Sequence, residues 1–270
     1  MVAQLRRNLL WPHQTCTNPL PALTMRICVY ASSSQQTSPA FVAQGRKLGR
    51  IIEERGHVLI NGGGKFGGMG ALNEGCRAAG GKIECVIHEM FCVDEGEFEG
   101  SDELIICRGD DLGERKRALA TRCDAIIVLP GGLGTIDEMF DAVALCQLGM
   151  KNARPVVAVN VDGYYDATFL QLERALQEGL LSKPPADILT SVPDVDAALV
   201  WCEQAGPVHG DRAHVRAKAH VRFASRASAV MMDVGEFLTT PAPSTKRFAG
   251  AFAAGVGVGA ALALVLGRRK

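Results

Sequence analysis

Short apolar segments alternate with longer amphipathic segments along most of this chain. The apolar segments lie at residues 26–31, 57–62, 82–87, 103–108, 125–130 and 155–161. Helical spacing of apolar residues, together with helix start and stop signals, marks segments at residues 38–56, up to 79, 111–123, after 135, 165–178 and 195–204. Strands that alternate with helices predict a parallel sheet with right-handed crossovers. The sequence therefore predicts an α/β fold with a Rossmann-like, doubly wound parallel sheet, as a single domain over residues 25–206.

Glycine-rich loops follow two of the predicted strands. The first, GGGKFGGMG at residues 62–70, contains Gly63 and Gly64, and the second, PGGLGT at residues 130–135, opens a predicted helix. Ligands of open parallel sheets bind beyond the carboxyl ends of the strands, and the backbone N–H groups at a helix start attract anions. Neither loop has the Gly-Lys-Ser/Thr ending of a Walker A loop, and no clean G-x-G-x-x-G follows the first strand. The loops therefore predict a nucleotide or sugar-phosphate ligand, with a dinucleotide less favoured.

Two interpretations fit Thr135 and Glu138. Their spacing matches the S/T-x-x-E capping box, in which the two side chains cap each other's backbone N–H groups. Asp137 would then be an acidic residue placed favourably in the first turn of a helix. On spacing alone the cap is the simpler interpretation. The alternative is that Glu138 acts on a ligand bound beside the glycine turn.

Three consecutive basic residues, Arg115, Lys116 and Arg117, lie in the predicted helix after the fourth strand. They fit a solvated basic face, with Glu114 paired to a neighbour. They also fit an arginine that turns inward to bind a phosphate or to face Glu138 across a cleft, because a guanidinium forms directional, paired hydrogen bonds with phosphates and carboxylates.

Three motifs together resemble one enzyme family. GGGKFGGMG, ERK at residues 114–116 and PGGLGTIDE at residues 130–138 occur in that order along the chain. They look like the LONELY GUY (LOG) family of cytokinin-activating enzymes, often mislabelled lysine decarboxylases, which has a GGGxxGxMG loop and a PGGxGTxxE motif preceded by an Arg-Lys pair. The resemblance covers about residues 26–204 and includes the stretch at residues 147–166.

The resemblance implies a phosphoribohydrolase. Such an enzyme cuts the N-glycosidic bond of a nucleoside 5′-monophosphate, typically one with an N6-substituted adenine, and releases the free base and ribose 5-phosphate. Glu138 and Arg115 match the family's catalytic glutamate and arginine, and Lys116 matches its adjacent binding lysine. The other residues that the resemblance assigns to substrate binding are Ser33, Gly63, Gly64, Glu95, Gly131, Gly132, Gly134 and Thr135. The resemblance also implies a homodimer, and the reaction that it implies requires no metal ion or cofactor.

The sequence departs from the family around Glu95. The family has prolines here, whereas this chain reads HEMFCVDEGEFEG, and the match of Glu95 needs a small insertion before Arg115. A minor departure lies at Ala31, where the family has a glycine before its two serines. The departure around Glu95 leaves the preferred base open.

Two other functions fit parts of the pattern. A nucleotide-binding or carrier protein on the same fold needs the glycine turns but not both Arg115 and Glu138, so the presence of this pair favours a hydrolase. Lysine decarboxylation normally needs pyridoxal phosphate held by a lysine as a Schiff base, and neither Lys65 nor Lys116 lies in a recognisable setting for it.

The two ends of the chain differ from the domain between them. Residues 1–24 contain two arginines and no acidic residue, which fits either a weak targeting segment or a disordered leader. Residues 207–247 form a basic and then Pro/Ser/Thr-rich linker. Residues 248–267 carry no charge and are long enough to span a bilayer as a helix, which predicts a C-terminal anchor in an organelle membrane with the domain facing the cytosol. The alternative is a flexible Gly/Ala-rich tail on a cytoplasmic protein.

Charge and cysteine content argue against two classes of partner. Lys plus Arg and Asp plus Glu each number 29, so no overall field favours nucleic acid. The nine cysteines include no CxxC pair and no Cys–His cluster at zinc spacing. Cys28, Cys76, Cys85 and Cys107 lie within apolar segments, which predicts buried, reduced thiols.

Overall fold

A computed structural model describes residues 23–92 and 96–207 of the chain. Within these residues a seven-stranded sheet forms, and all of its neighbouring strands are parallel. The strands are β1 Arg26–Tyr30, β2 Val58–Asn61, β3 Ile83–His88, β4 Glu103–Cys107, β5 Ala125–Val128, β6 Val156–Val159 and β7 Thr190–Val192. Their order across the sheet is β4-β3-β2-β1-β5-β6-β7. The predicted doubly wound α/β fold is confirmed.

The helices follow the strands in the predicted alternation. In the described residues they are α1 Pro39–Glu54, α2 Gly67–Ala78, α3 Gly113–Arg122, α4 Leu133–Leu148, α5 Asp166–Gln177, α6 Pro185–Ile188 and α7 Val195–Ala205. Short 3₁₀ turns lie at Glu89–Phe91 and Val161–Gly163. A proline in the first turn starts α1, and a glycine with a φ of +73° follows it at Gly56, as the sequence signals predict.

The direction of the strand order reverses between β1 and β5. β1 pairs with β2 on one side and with β5 on the other, so consecutive strands spread outward in both directions from this point. The loops after β1 and β5 therefore leave the sheet side by side and diverge. Such a crevice is where open α/β sheets bind ligands.

Helices cover both faces of the sheet. Alternate residues of each strand point to opposite sides, and apolar residues on both sides are buried against helices. Ile27 and Val29 of β1 belong to a buried cluster with α1, α2 and α7. Cys28 and Tyr30 belong to a second cluster with α3 and α4. The four cysteines predicted to be buried are buried, and their thiols are free. The helix that carries the basic residues and the helix that carries Glu138 consequently share one face.

The glycine-rich segment after β2 is shorter as a loop than predicted. Its second half forms the first turn of α2, which begins at Gly67. A Cβ on Gly45 of α1 would overlap the carbonyl oxygen of Gly68, and a Cβ on Gly70 would overlap that of Lys65. These glycines therefore allow close backbone packing at the start of α2, and the loop between β2 and α2 is shortened to residues 62–66.

A strand beyond the six predicted ones lies at the sheet edge. β7 is three residues long, Thr190–Val192, and pairs with β6. Only Val192 of the three is buried, so the segment lacks the apolar run that identifies the other strands.

No helix among residues 23–92 and 96–207 is long and apolar enough to cross a membrane. The membrane span predicted at residues 248–267 lies outside the described residues, as do the leader up to residue 22 and the linker from residue 208 onward. Anchoring through the tail stays a prediction of the sequence.

Candidate active site

The second glycine turn connects β5 to α4 at the reversal point of the sheet. Gly132 is the N-cap of α4 and has an extended backbone, with φ of −82° and ψ of −161°. A Cβ on Gly131 would overlap the hydroxyl of Thr135, so only glycine lets the turn fold over that side chain. The first N–H groups of any helix lack partners within the helix. The turn thus brings such donors and the Thr135 hydroxyl together at the edge of the sheet.

The capping-box interpretation of Thr135 and Glu138 is wrong. α4 begins at Leu133, two residues before Thr135, and no side chain caps its start. Thr135 therefore lies inside the first turn and Glu138 in the second, and both are buried. Asp137 also falls beyond the first turn, so the helix start carries no acidic residue. The physical reason is that Gly132 adopts the N-cap conformation without a side chain, which leaves the first-turn N–H groups available to a ligand.

The carboxylate of Glu138 instead pairs with Arg115 of α3. The Nη1 atom of Arg115 lies 2.5 Å from Oε1 of Glu138, and the two residues are 7% and 8% exposed. The Nε atom of Arg115 donates to the backbone carbonyl oxygen of Val86, on β3, at 3.1 Å. The inward arginine is therefore the correct interpretation for Arg115. Arg117, two residues later, is exposed.

Gly62, which the predicted substrate-binding set omits, makes room for this arginine. A Cβ on Gly62 would overlap the Nη2 atom of Arg115 and press on the side chain of Met69. Met69 also contacts Gly64, whose N–H group lies 3.0 Å from its sulfur. The first glycine loop is thus packed against the ion pair, a role that its glycine pattern alone does not reveal.

The remaining residues of the first loop meet the loop after β1. Gly63 has a φ of +77°, and its N–H group donates to the side-chain oxygen of Asn61 at 2.8 Å. Asn61 is itself held by the buried side chain of Asn73, at 2.6 Å. A Cβ on Gly64 would lie 3.6 Å from the Cβ of Ser33, which is exposed. The structure therefore brings the predicted Ser33, Gly63 and Gly64 together.

Lys116 is less exposed than Arg117 and pairs with two carboxylates of α4. Its Nζ atom is 3.2 Å from Oδ2 of Asp137 and 3.5 Å from Oδ1 of Asp141, both on α4. Burial lowers the pKa of Lys116, but the two carboxylates outweigh burial and raise that pKa above its ordinary value. Lys116 is therefore a protonated side chain that two carboxylates of α4 fix in place, next in sequence to Arg115 of the buried pair.

Burial dominates the electrostatics of Glu138. It raises the pKa of Glu138 above the ordinary value of 4.5, although Arg115 opposes the rise both by its charge and by its hydrogen bond. The arrangement is a buried carboxylate whose nearest counter-ion is Arg115, and a carboxyl group with a shifted pKa in such a setting is a candidate functional group.

Two tyrosines that the sequence analysis did not single out also contact the glycine turn. The hydroxyl of Tyr164 donates to the carbonyl oxygen of Gly131, and the hydroxyl of Tyr165 donates to that of Leu129. Both tyrosines lie in the stretch at residues 147–166 that resembles the family, but nothing in the spacing of that stretch indicates a contact with the turn. Glu95, the remaining predicted ligand contact, lies outside the described residues.

Known proteins match this chain across the same region. The profile of a family described as "Possible lysine decarboxylase" matches residues 69–201. The Arabidopsis thaliana protein named cytokinin riboside 5′-monophosphate phosphoribohydrolase LOG3 is 31% identical over 186 residues, which cover 68% of this chain and 84% of that protein. Its relative LOG7, from the same plant, is 32% identical over 184 residues, covering 67% of this chain and 82% of that protein.

A solved structure shares the fold. The molybdenum cofactor carrier protein of Chlamydomonas reinhardtii superposes with a TM-score of 0.50 at 22% identity, over 67% of this chain and 98% of that one. At this identity the likeness concerns the fold alone.

The ion pair makes a prediction about stability. Arg115→Met leaves Glu138 buried without its counter-ion and should lower the free energy of unfolding by about 3–5 kcal/mol. Adding Glu138→Gln to this variant removes the stranded charge, so the double variant should be more stable than Arg115→Met alone. Urea unfolding of the single and double variants measures the difference.

The same cycle has a pH dependence. Burial raises the pKa of Glu138 in the folded state and Arg115 opposes the rise, so this pKa should be higher in Arg115→Met than in the wild type. On acidification the folded variant should therefore take up this proton before the wild type does, and its deficit in stability should shrink. Two results together would contradict a mutually dependent pair. The losses of unfolding free energy from the two single substitutions would simply add in the double variant, and the deficit of Arg115→Met would not change on acidification.

Proposed function

We propose a function for this chain on the premise that it belongs to the LONELY GUY (LOG) family of phosphoribohydrolases, which are hydrolases of N-glycosyl compounds. The proposed reaction is hydrolysis of the N-glycosidic bond of an adenosine 5′-monophosphate, typically N6-modified, to the free base and ribose 5-phosphate. The observation that carries the proposal is the buried Arg115–Glu138 pair, which lies one helical turn beyond the glycine turn that starts α4 without a capping side chain.

The 5′-phosphate is proposed to bind at the start of α4. Gly131, Gly132 and Gly134 form or flank the turn, and the hydroxyl of Thr135 lies within it. Backbone N–H groups and the positive end of the helix dipole stabilise an anion there. Lys116 adds a positive charge nearby, at present shared between two carboxylates of α4.

Glu138 is proposed to act at the ribose carbon. Glu138 is the third residue after Thr135, a rise of about 4.5 Å along the helix. A ribose attached to a phosphate at the start of α4 would therefore be within reach of this carboxylate. Departure of the base puts positive charge on the ribose ring, as in glycoside hydrolysis. An ionised Glu138 stabilises that charge or positions the attacking water.

Arg115 is proposed to keep Glu138 ionised and oriented. Without a counter-ion a buried carboxyl takes up a proton, and a protonated Glu138 cannot stabilise a cationic sugar. The hydrogen bond from Arg115 to the carbonyl of Val86 fixes the guanidinium, and the guanidinium fixes the carboxylate. When substrate binds, the same arginine can balance the phosphate or the departing base.

Glu138→Gln tests the catalytic assignment. The variant keeps a side-chain oxygen for Arg115 but has no negative charge, so release of base from N6-modified AMP should fall by at least about 100-fold. AMP binding, measured by isothermal titration calorimetry, should be retained because the phosphate site is intact.

Asp137→Asn is the matched control, because it neutralises the adjacent, exposed carboxylate of the same helix. Its kcat should stay within about twofold of the wild type, because the substitution removes one exposed ion pair with Lys116 and leaves the Arg115–Glu138 pair intact. Normal turnover by Glu138→Gln would exclude Glu138 as the catalytic carboxylate. Tight AMP binding by the wild type with no base released would instead favour a carrier.

The pH profile follows from the raised pKa of Glu138. Activity needs the ionised carboxylate, so kcat/KM should fall on the acidic side around a pKa above the 4.5 of an ordinary glutamate. Initial rates across the acidic range measure this limb. A limb centred at or below 4.5 would mean that burial does not dominate this group.

A homodimer is part of the proposal and has structural support in α4. Leu133, Phe140 and Leu148 of α4 are exposed, and the exposed Met150 lies two residues after the end of the helix. Exposed apolar side chains clustered on one helix are typical of an association surface. The helix that holds the site would then also contact the second copy.

Sedimentation of variants tests the association surface. The double variant Phe140→Glu/Leu148→Glu should sediment as a monomer, whereas the wild type should sediment at twice the chain mass. Leu180→Glu, at an exposed apolar residue outside α4, is the control and should remain dimeric. A wild-type monomer, or dissociation by the control as well, would contradict the assignment of this face.

A further inference from the structure

Two consecutive tyrosines donate to backbone carbonyl groups at the second glycine turn, one within the turn and one just before it. The hydroxyl of Tyr164 lies 2.5 Å from the carbonyl oxygen of Gly131, and the hydroxyl of Tyr165 lies 2.7 Å from that of Leu129. Tyr164 is 39% exposed, whereas Tyr165 is fully buried. Neither side chain takes part in the proposed chemistry, so their common attachment to the turn needs a separate explanation.

The two hydrogen bonds have different consequences for the N–H groups of the turn. In a planar trans peptide the C=O group and the following N–H group point in opposite directions. The carbonyl of Gly131 shares its peptide plane with the N–H group of Gly132, so Tyr164 directs that N–H group away from itself. The carbonyl of Leu129 shares its plane with Pro130, which has no N–H group. Tyr165 therefore fixes a carbonyl without orienting a donor.

The backbone before the tyrosines is bent into a less favourable conformation. Asp162 has a φ of +51° and a ψ of 30°, and Gly163 has a φ of +74°. A non-glycine residue in this region costs about 1 kcal/mol or more, and such strain persists where surrounding contacts enforce it. Here Asn160 enforces it, because its side-chain oxygen accepts the N–H group of Tyr165 at 2.7 Å and its amide donates to Asp166 at 2.7 Å. The bend turns the two tyrosines back toward the glycine turn.

Aromatic contacts hold the ring of Tyr164 in place. Phe41, near the start of α1, packs edge-on against it with ring centres 5.4 Å apart. The ring of Tyr165 packs edge-on against it as well, at 4.9 Å. Edge-to-face contacts at these distances favour one ring orientation. The Tyr164 hydroxyl is therefore presented to Gly131 by a preorganised side chain.

We propose that Tyr164 is a positioning residue for phosphate binding. Its hydroxyl holds the Gly131–Gly132 peptide so that the N–H group of Gly132 faces the 5′-phosphate of the substrate, before any ligand arrives. This inference rests on the proposed function of the turn. Tyr165, in contrast, is a structural residue that stabilises the end of β5.

Tyr164→Phe and Tyr165→Phe form a matched pair that tests the proposal. Each removes one hydroxyl and one hydrogen bond to the same turn. Tyr164→Phe should weaken AMP binding, measured by isothermal titration calorimetry, by about 3- to 10-fold, which corresponds to one net hydrogen bond. Its KM should rise by a similar factor, whereas kcat should be nearly unchanged. The reason is that the lost contact to the phosphate stabilises the bound substrate and the transition state equally.

Tyr165→Phe should lower stability without weakening AMP binding. Its hydroxyl is buried, so the melting temperature should fall, whereas AMP affinity and KM should stay at the wild-type values. This control shows whether loss of stability in the turn is enough to weaken binding. Equal losses of AMP affinity in the two variants, or unchanged affinity in Tyr164→Phe, would overturn the positioning role.

The binding readout separates this inference from the proposed hydrolysis. If the wild type binds AMP, depends on Tyr164 for that affinity and yet releases no base, the hydrolase proposal fails and the positioning role stands. If base is released but Tyr164→Phe leaves both AMP affinity and KM unchanged, the positioning role fails alone. If the wild type binds neither AMP nor ribose 5-phosphate, both fail.

Discussion

A buried ion pair between Arg115 and Glu138 is the interaction on which the rest of the site depends. Two charges with so little solvent contact are tolerated only because each is the other's partner and the arginine has a further acceptor in the carbonyl of Val86. The pair joins α3 to α4 on one face of the sheet, and Gly62 leaves space for the guanidinium. The fold itself therefore holds the carboxylate in place, as electrostatic preorganisation would require in the proposed reaction.

The topology explains why these groups meet. The strand order reverses between β1 and β5, so the loops that follow these strands diverge and leave a crevice at the edge of the sheet. The glycine turn after β5 starts α4 at Leu133 without a capping side chain. The backbone N–H groups in the first turn of α4 thus remain available to an anion. The second turn of the same helix carries Glu138, which forms the buried pair with Arg115. In the proposed reaction, one helix start supplies both the phosphate site and the catalytic carboxylate.

Local patterns in the sequence predicted the fold but only part of the site. Periodicity and glycine punctuation are local properties, so they located six of the strands, and β7 was missed because only Val192 of its three residues is buried. The inward turn of Arg115 could not be chosen over a basic surface from three consecutive basic residues, since the choice depends on which residue of the neighbouring helix α4 faces it. The capping box failed because spacing does not reveal that Gly132 already serves as the N-cap. The contacts of Tyr164 and Gly62 join segments far apart in the chain, and only the fold brings them together.

The most direct measurement compares N6-isopentenyl-AMP with the same nucleoside lacking its 5′-phosphate as substrates of the purified protein. The account predicts equimolar release of free base and ribose 5-phosphate from the monophosphate. It also predicts a kcat/KM for the nucleoside lower by at least about 100-fold, because binding energy at the glycine turn is used to hold the ribose carbon against Glu138. Equal turnover of the two compounds, or binding of the monophosphate with no base released, would contradict it.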